Sequence, residues 1–402
     1  MFDRPILIVG GGLGGLTLSL CLAKLGIASI VVERRSELSE TGAGIQLSPN
    51  CLRVYDHLGM ADAIEKIAFE PSRIEFRDWR YSRIIYQIEL SGYREKLGFP
   101  YFTVHRGQLI ELLLSNISKT ELVQLYLDRE VDDFSAEKNG VEIHLGGETL
   151  CGSLLVGADG IGSTIRSKLF GLGKAFFTGH VAWRALVPVN RLTKSIREME
   201  SRVWWGPGKH LVTYLVQGGS VLNCVAVVEN ASWFHESWHE PCNPDELLKE
   251  FSKWNLDALE IVQSIASDDL FKWGLFKRDR LKTWNRGRVV LLGDACHAPL
   301  PFMAQGAAMA IEDAACLSLC LSEEKDYAVS FNKFEKLRKA RTEKVLKMSA
   351  QNGRVFHLSG LSAKMRDVVL KFYKPRLNDF LYGYNVFSAT EGFASTQDEN
   401  NQ

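Results

Sequence analysis

A glycine-rich turn near the start of the chain has the spacing needed to hold a dinucleotide. Gly10, Gly12 and Gly15 form a Gly-x-Gly-x-x-Gly pattern between a short apolar run and a leucine-rich helical segment. The first glycine permits a tight turn, the second admits a pyrophosphate, and the third lets the helix pack closely on the strand. Glu33 ends the next apolar run, where its carboxylate can accept two ribose hydroxyls. Because this acid disfavours a 2′-phosphate, the pattern predicts FAD or NAD rather than NADP.

Two later turns also carry an acid at the end of an apolar run. In GADGIGSTIR, Asp159 precedes a helix whose first turns hold Arg166, and a guanidinium there suits a phosphate or a carboxylate. In GDACHAPLPFMAQGAAMAIEDA, Asp294 follows the run RVVLL, and a proline-containing loop leads to a helix of small residues without charge in its first turn. Either turn alone could be plain architecture. Together with the first glycine turn, they predict one nucleotide site assembled from distant segments.

Two pairs of residues that include histidine are candidates for catalytic or metal-binding chemistry. His210 and Tyr214 lie four residues apart in a strand-like segment, so their side chains face the same side. A neutral imidazole can act as a base near neutral pH; the more common alternative is a buried histidine beside a core tyrosine. His235 and His239 in HESWHE match the HExxH zinc pattern literally. Pro241 and the neighbouring tryptophans argue against a zinc helix, so we predict no metal site.

The elements that would position these residues follow from the hydrophobic pattern. Strand–turn–helix patterns occur at the start of the chain, near 155–168 and near 288–320, and strand-like alternation fills the segments between them. This arrangement predicts an α/β fold with a second domain inserted into the first. The predicted parts are a nucleotide-binding domain over 1–72, 101–175 and 270–345, a mainly antiparallel β-sheet domain over 73–100 and 176–269, a helical segment over 346–390 and a frayed tail over 391–402.

The composition argues against several classes of protein. The 402 residues are 46% hydrophobic, which is enough for a large core, and Lys+Arg and Asp+Glu both number 48. No net charge therefore favours nucleic acid or an anionic membrane. We expect no transmembrane segment, because no run of about eighteen uncharged apolar residues is present. We expect no signal peptide, because the N-terminal apolar stretch IVGGGLGG is rich in glycine and lacks a small-residue cleavage site. The eight cysteines contain no CxxC pair and are expected to be reduced thiols of a cytoplasmic protein.

Taken in order, GGGLGG, GADGIGSTIR and GDACHAPLPFMAQGAAMAIEDA resemble the motifs of the group A flavoprotein monooxygenases, which are single-component FAD-dependent aromatic hydroxylases. The resemblance extends over about residues 5–385. The segments HVAWRALVP, HLVTY, FMAQG and LYGYN are most similar to salicylate hydroxylase, 3-hydroxybenzoate 6-hydroxylase and 6-hydroxynicotinate 3-monooxygenase. The resemblance implies a p-hydroxybenzoate hydroxylase-like fold: a Rossmann-type FAD-binding domain, an inserted antiparallel substrate domain and C-terminal helices.

The resemblance also implies which residues hold the cofactor. Asp294 would accept a ribityl hydroxyl, and Arg106 would reach the ribityl or pyrophosphate region. The segment 305–308 would place a helix N-terminus at the flavin pyrimidine ring, where its dipole stabilises the negative charge of the reduced ring. The cofactor-binding residues implied are Gly10, Gly12, Leu13, Gly14, Gly15, Glu33, Arg34, Arg106, Asp159, Asp294, Gln305, Gly306 and Ala307.

The activity implied is hydroxylation of a small hydroxylated aromatic or heteroaromatic ring by a monooxygenase of the EC 1.14.13 type. NADH or NADPH would reduce bound FAD, and O2 would then form a flavin C4a-hydroperoxide that transfers OH to the ring. His210 and Tyr214 would be the catalytic pair, with His210 as the base that activates a phenol. A monomer or homodimer without a nucleic-acid partner is expected.

Two positions depart from the nearest relatives in the substrate pocket, to which the resemblance assigns Gln46, Pro301 and Phe302. Phe302 stands where the hydroxynicotinate enzyme carries a histidine, and Gln46 stands where a histidine is common. Both changes favour a different or less polar ring, within the hydroxybenzoate- and hydroxypyridine-like class. Further candidates for the pocket are Trp183, Arg184, Trp204, Trp205 and Cys224, although several of them are expected to be plain core residues. A reductase or halogenase of the same fold and a non-catalytic flavin-binding protein remain alternatives, although a halogenase-type WxWxIP motif is absent.

Overall fold

The computed structural model describes residues 2–38, 44–171, 175–197, 200–230, 240–372 and 377–392. In chain order, the strands are β1 (Ile6–Val9), β2 (Ser29–Val32), β3 (Gly44–Leu47), β4 (Arg73–Asp78), β5 (Ile84–Glu89), β6 (Phe102–His105), β7 (Val123–Tyr126), β8 (Asp133–Glu137), β9 (Gly140–Leu145), β10 (Glu148–Gly152), β11 (Leu155–Gly157), β12 (Phe176–Pro188), β13 (Ser201–Gly206), β14 (Lys209–Val216), β15 (Val221–Glu229), β16 (Glu240–Pro241), β17 (Leu270–Lys277), β18 (Asn285–Arg286) and β19 (Val289–Leu291). The helices are α1 (Leu13–Lys24), α2 (Pro49–His57), α3 (Ala61–Ile67), α4 (Tyr93–Leu97), α5 (Arg106–Ile117), α6 (Thr164–Phe170), α7 (Lys194–Arg197), α8 (Pro244–Phe251), α9 (Leu256–Gln263), α10 (Asp294–His297), α11 (Gly306–Glu323), α12 (Tyr327–Phe356), α13 (Gly360–Phe372) and α14 (Leu377–Tyr382).

A six-stranded sheet forms the centre of the first half of the fold. Its order is β18-β19-β11-β1-β2-β7, and every neighbouring pair is parallel except β18 with β19. All four residues of β1 are buried, as expected for a parallel strand covered on both faces. Helices α1 and α11 pack against each other beside this sheet. The predicted α/β fold, with its Rossmann-type β1-α1-β2 unit, is confirmed.

An eight-stranded sheet forms the second half, in the order β16-β17-β12-β15-β14-β13-β4-β5. It is antiparallel except for the pair β13 and β4, so the early strands β4 and β5 join a sheet made of later segments. Strand β17 belongs to this sheet, which therefore extends beyond the boundary expected at residue 269. The domain boundaries themselves stay a prediction.

The two faces of this sheet pack against different partners. On β14, Leu211 and Leu215 contact the apolar cluster that includes Leu247 and Phe251 of α8. The alternate residues point to the opposite face, toward a cluster that includes Phe302 and residues of α12. That opposite face carries both His210 and Tyr214, as the strand spacing predicts.

Helix α12 connects the two halves of the molecule. It has thirty residues and continues without interruption across the boundary expected at residue 346. Ser349 Oγ donates to the Leu300 carbonyl at 2.6 Å, and Asn352 Nδ2 donates to the Phe302 carbonyl at 3.2 Å. These bonds hold the loop before α11 against α12.

Two expectations from the sequence fall outside the described residues. The HESWHE segment, with His235 and His239, is one of them, and the tail from residue 393 onward is the other. Across the part of the chain that is described, none of the helices combines the length and apolar character needed to cross a bilayer.

Candidate active site

Four of the segments singled out in the sequence meet at one edge of the six-stranded sheet. Gly10 follows β1 and Glu33 follows β2, while Asp159 and Asp294 come shortly after β11 and β19. These four strands are neighbours in the order β19-β11-β1-β2 and run parallel, so their carboxyl ends lie side by side. In open α/β sheets this edge is where ligands bind.

The glycine turn leaves its backbone open to a ligand. Gly10 has φ +112°, and a Cβ there would lie 2.3 Å from the Ala158 carbonyl oxygen, so only glycine fits. A Cβ on Gly15 would lie 2.0 Å from the Gly10 oxygen, whereas one on Gly12 would have no atom within 4 Å. That open space faces the start of α1, which Leu13 begins with neither a side-chain cap nor an acid in its first turn. The free N–H groups there suit a phosphate.

Glu33 lies against the same turn. Its Oε2 accepts from the Gly11 N–H at 2.8 Å, and its Oε1 accepts from the Arg35 N–H at 3.0 Å. Each carboxylate oxygen keeps a further lone pair for a hydroxyl. The neighbouring Arg34 is exposed. A Cβ on Gly14, which faces the other way, would lie 2.7 Å from Leu292, so Gly14 serves helix–strand packing rather than ligand contact.

Two half-buried carboxylates at this edge have unused acceptor capacity. Asp159 Oδ2 accepts from the Ile165 N–H at 3.2 Å, but its buried Oδ1 has no partner among the described residues. The carboxylate of Asp294 likewise makes no hydrogen bond within the described part of the chain. Burial raises the pKa of both groups, and the charges of His297 and Arg106 oppose that rise in the pKa of Asp294. A buried acceptor such as Asp159 Oδ1 normally has a partner, which points to a bound hydroxyl or amide there.

The two arginines near these acids differ in role. Arg106 begins α5, and its charge opposes the rise in the pKa of Asp294. Arg166 is buried and donates to the backbone carbonyls of Asp279, at 2.7 Å, and Ala295, at 3.4 Å. The expectation that Arg166 meets a phosphate or carboxylate is therefore wrong, because two carbonyls use its guanidinium to brace the Asp294 turn.

The N-terminus of α11 is open, as the sequence predicts. Gln305 precedes the helix, and Gly306 and Ala307 begin it without a side-chain cap or an acid in the first turn. The Gln305 side chain points elsewhere: its Nε2 donates to Ser48 Oγ at 3.0 Å, and its Oε1 accepts from Asn50 Nδ2 at 3.2 Å. Any contact of this segment with a cofactor would therefore come from the backbone.

A buried charge cluster, which the sequence reading missed, lies behind α11. Arg338 Nη2 lies 2.6 Å from Glu312 Oε2, and Arg338 Nε lies 2.6 Å from Asp313 Oδ1. Arg341 Nη2 lies 2.7 Å from Glu312 Oε1, and His297 Nε2 lies 2.5 Å from Asp313 Oδ2. All five side chains are at most 6% exposed. The available signal was a pair of adjacent acids in an otherwise apolar helix.

His210 and Tyr214 lie on the face of β14 that packs toward Phe302 and α12, and both are buried. His210 Nδ1 lies 2.7 Å from His357 Nε2, and His357 Nδ1 lies 3.0 Å from Glu229 Oε1. The hydroxyl of Tyr214 makes no hydrogen bond to any described residue. The sequence reading missed His357 and Glu229, because nothing local links positions 147 residues apart.

Burial determines how these two groups titrate. It lowers the pKa of His210 well below the ordinary value, with smaller contributions in the same direction from His357 and His180. The imidazole is therefore neutral at pH 7. Burial also raises the pKa of Tyr214 to about 12, against the opposing charge of Arg184, so the phenol keeps its proton. The pair thus combines a neutral acceptor with a hydrogen-bond donor.

Phe302 packs beside His210 on this face of the sheet. Its ring centroid lies 5.5 Å from that of His210, and it packs on Gly353 of α12, where a Cβ would lie 2.7 Å from the ring. Pro301 is exposed, unlike Phe302. Gln46, the third of the predicted pocket residues, accepts a hydrogen bond at its Oε1 from the Tyr101 hydroxyl.

The remaining pocket candidates divide between the two faces of the sheet. Trp183, Trp204 and Cys224 pack in the apolar cluster with α8, away from His210, so the expectation that they line the pocket is wrong. Trp205 is the direct cross-strand neighbour of His210 and shares its face. Arg184 also faces this side and lies 4.9 Å above the Trp273 ring.

These observations fit FAD at the strand edge. The open glycine turn and Glu33 match a pyrophosphate and an adenosine ribose, and the unpaired Asp159 oxygen and Asp294 carboxylate match further polar groups of the cofactor. The open N-terminus of α11 suits the part of a flavin that becomes negative on reduction. No described residue blocks the space beside Gly12.

Comparison with known proteins agrees with this fit. The model of a protein family described as "FAD binding domain" matches residues 3–348. A 3-hydroxybenzoate 6-hydroxylase of Aquipseudomonas alcaligenes is 35% identical over 94% of this chain and 96% of its own length. A 6-hydroxynicotinate 3-monooxygenase of Pseudomonas fluorescens is 34% identical over 86% of this chain and 90% of its own length.

A solved salicylate hydroxylase substrate complex has the same fold. It superposes with a TM-score of 0.79 at 22% identity and covers 96% of this chain and 97% of its own. Two of the three enzyme groups expected from the sequence motifs are therefore among the relatives, and the third shares the fold. The p-hydroxybenzoate hydroxylase-like fold is confirmed. With the family match extending from Asp3 to Met348, the chain belongs to the FAD-dependent aromatic hydroxylases, the flavoprotein monooxygenases that carry this FAD binding domain.

Proposed function

We propose that this protein hydroxylates a small phenolic aromatic or heteroaromatic ring, of the hydroxybenzoate or hydroxypyridine class, with NADH or NADPH and O2 as co-substrates. One observation carries the proposal beyond the family: a neutral buried His210 and a protonated Tyr214 share one face of β14. This pair can take a proton from a phenol and hold the resulting oxygen. Loss of that proton makes the ring electron-rich, which is the condition for electrophilic oxygen transfer.

The chain contributes binding, orientation and proton transfer. Bound FAD would supply hydride acceptance from NAD(P)H and activation of O2. Gly10, Gly12 and Glu33 would hold its pyrophosphate and adenosine, and Asp294 would accept a ribityl hydroxyl. The N–H groups at the start of α11 would stabilise negative charge on the reduced ring without requiring a lysine.

The pocket residues act on the substrate itself. His210 Nε2 would accept the phenolic proton, since Nδ1 is already engaged with His357. Tyr214 would donate a hydrogen bond to the phenolate oxygen. Phe302 and Trp205 would exclude water, which strengthens both polar contacts. Phe302 also gives the pocket a less polar wall than a histidine would, so a ring without a charged group at that side is favoured.

A substrate screen tests the proposal. The FAD-loaded protein would be mixed with hydroxybenzoates, hydroxypyridines and bicyclic phenols, and oxidation of NADH and NADPH, oxygen uptake and product would be measured together. We expect at least one phenol to stimulate NAD(P)H oxidation and to return with an added hydroxyl. Stimulated oxidation that yields only H2O2 would indicate an effector rather than a substrate. Reduction of a ligand without oxygen uptake would identify the protein as a reductase and contradict the proposal.

Replacing Asp294 with alanine is expected to weaken retention of FAD by about 1.5–3 kcal/mol, the usual contribution of a hydrogen bond to a charged group. The reason is that its carboxylate has no partner among the described residues and is therefore available to the cofactor. FAD content after gel filtration and flavin-fluorescence titration of the apoprotein would measure the change. Asp326→Ala is a suitable control, because Asp326 caps α12 away from this edge. Unchanged affinity for FAD would contradict the role of Asp294.

A further inference from the structure

We propose that His357 and Glu229 form the path by which the substrate's proton leaves the buried pocket. His210 would receive the proton, His357 would relay it, and Glu229 would deliver it to solvent. The inference rests on the proposed function, because it needs His210 to take a proton from a phenol. It adds a positioning and proton-transfer role for two residues outside the motifs of the sequence.

The three side chains form a continuous hydrogen-bonded chain from the interior to the surface. His210 is 3% exposed, and the side chain of His357 is 2% exposed. The side chain of Glu229, in contrast, is 55% exposed. The links measure 2.7 Å between the imidazoles and 3.0 Å between His357 and the carboxylate. Both are ordinary hydrogen-bond lengths, so a proton can move along them without rearrangement of the backbone.

The three residues are held together by one turn of the backbone. Gly208, in the turn between β13 and β14, accepts from the Glu229 N–H at 2.8 Å and donates its own N–H to the His357 carbonyl at 3.2 Å. His210 is only two residues further along. His357 itself terminates α12. Three elements from distant parts of the sequence thus meet at Gly208. These backbone bonds hold the side chains of His210, His357 and Glu229 close to one another.

The tautomers that this chain requires allow a balanced proton transfer. Neutral His210 donates Nδ1–H to His357 Nε2, and neutral His357 donates Nδ1–H to the Glu229 carboxylate. His210 Nε2 is then free to accept a proton from the phenol. As that N–H bond forms, the Nδ1 proton of His210 passes to His357 Nε2, and the Nδ1 proton of His357 passes to Glu229. Both imidazoles end neutral, and the exposed carboxyl loses its proton to water.

Neutral imidazoles are what the surroundings favour. Burial lowers the pKa of His210 and of His357, and the nearby His180 lowers both further. Glu229 opposes this effect on His357. Phe302 and Phe356 flank His210 with ring centroids 5.5 and 5.3 Å away and keep water from its imidazole. Without a relay, a proton taken by His210 would therefore stay in an apolar surrounding, where the charged imidazolium is disfavoured.

A metal site is the competing explanation for this cluster. His180, Glu229 and His357 can bring one ligand atom each within 4.8 Å of one another. However, both ring nitrogens of His357 already take part in the chain, and His180 Nδ1 lies 3.1 Å from the Thr178 carbonyl. This pattern favours proton transfer over metal binding.

The kinetic test uses the FAD-loaded enzyme with 3-hydroxybenzoate as the probe. Stopped-flow mixing with a pH indicator in weak buffer would measure proton release, in parallel with hydroxylation. We expect His357→Gln to slow proton release by about tenfold or more, since positioned proton transfer contributes at least that much. Glu229→Gln should slow it less, and concentrated buffer should restore it. His144→Gln, which removes a histidine outside the chain whose contact is an exposed bond to Thr149, should match the wild type. Unchanged proton release in His357→Gln, or a loss in Glu229→Gln that buffer does not affect, would overturn the relay.

A second measurement needs no substrate. In the FAD-loaded protein with ¹⁵N-labelled histidine, ring-nitrogen shifts at pH 7 should show His210 and His357 neutral, each with its proton on Nδ1. Assignment would come from the His210→Asn and His357→Gln variants. The opposite tautomers, or a charged His357, would exclude the relay. If these tautomers are found but no phenol is hydroxylated, the proposed function fails and the relay fails with it; if phenols are hydroxylated with the wrong tautomers, only the relay fails.

Discussion

Replacing Arg338 with methionine is expected to lower the free energy of unfolding by about 3–5 kcal/mol, because it removes from two buried carboxylates the one cation that contacts both of them. Arg338 is fully buried and contacts both Glu312 and Asp313 at 2.6 Å. Methionine preserves much of the side-chain volume, so the loss reports the charge rather than a cavity. Urea unfolding of the FAD-loaded protein, followed by tryptophan fluorescence, would measure it.

Lys96→Ala is the matched control for this substitution. Lys96 pairs with Asp379 at 2.6 Å, but the two side chains are 62% and 56% exposed. Its removal should change the free energy of unfolding by about 1 kcal/mol or less. A loss for Arg338→Met as small as that of the control would show that the buried cluster does not depend on this cation.

The same cluster predicts how stability responds to acid. The charges of His297 and Arg338 lower the pKa of Asp313 from 3.8 to about 2, despite the opposing effect of burial, which is the largest single influence. A carboxyl with a lowered pKa stabilises the fold above its unfolded-state pKa and loses that contribution as the pH falls through the folded-state value. Wild-type stability should therefore fall between pH 4 and 2. The difference in the free energy of unfolding between the wild type and Arg338→Met should become smaller over the same pH range.

Replacing His210 with alanine is expected to lower the rate of hydroxylation by about 10²–10⁴-fold, the usual contribution of a positioned base. FAD binding should be preserved, because His210 lies on β14 of the eight-stranded sheet, away from the strand edge that holds Gly10 and Glu33. Product formation per NAD(P)H consumed and flavin content would be measured on the same preparation. Near-normal coupled turnover would contradict the role of His210 as the base.

The pH dependence of the wild type and a control variant complete this test. Burial lowers the pKa of His210, so it stays unprotonated as the pH falls through 6.5, where an ordinary imidazole becomes charged. Wild-type kcat/KM should hold its plateau below that pH, and the plateau should be lost in His210→Ala. His144→Ala removes a histidine whose contact is an exposed hydrogen bond to Thr149. It should leave the rate of hydroxylation and the pH dependence of kcat/KM unchanged.

The parts of the site that the sequence predicted are those in which local backbone geometry requires a residue type. At position 10 only glycine leaves room for the Ala158 carbonyl, so the glycine pattern itself indicates that a tight turn occurs there. Asp159 and Asp294 could be placed beside it because parallel strands end at one edge. The shared face of His210 and Tyr214 follows from the period of two along a strand.

The parts that the sequence did not predict depend on contacts between distant segments. His357 lies in the region expected only to be helical, and nothing in its neighbourhood indicates that β14 and β15 supply its partners. Gln305 follows the family motif, yet Ser48 and Asn50 hold its side chain. Whether Trp204 faces the pocket or the core depends on the strand register, because a shift of one residue moves a side chain to the opposite face, and Trp204 faces the core.

Helix α12 imposes a limit on how this protein can change through evolution. At about 1.5 Å per residue, its thirty residues extend about 45 Å, with Arg338 and Arg341 near the middle and Gly353 and His357 at the end. One inserted residue between these groups would rotate the end by about 100° relative to the middle. Phe302 would lose its packing contact with Gly353, and the His357 side chain would point away from His210. Insertions and deletions within α12 would therefore disrupt these contacts. We expect changes of substrate preference that involve this helix to arise by substitution at a fixed length.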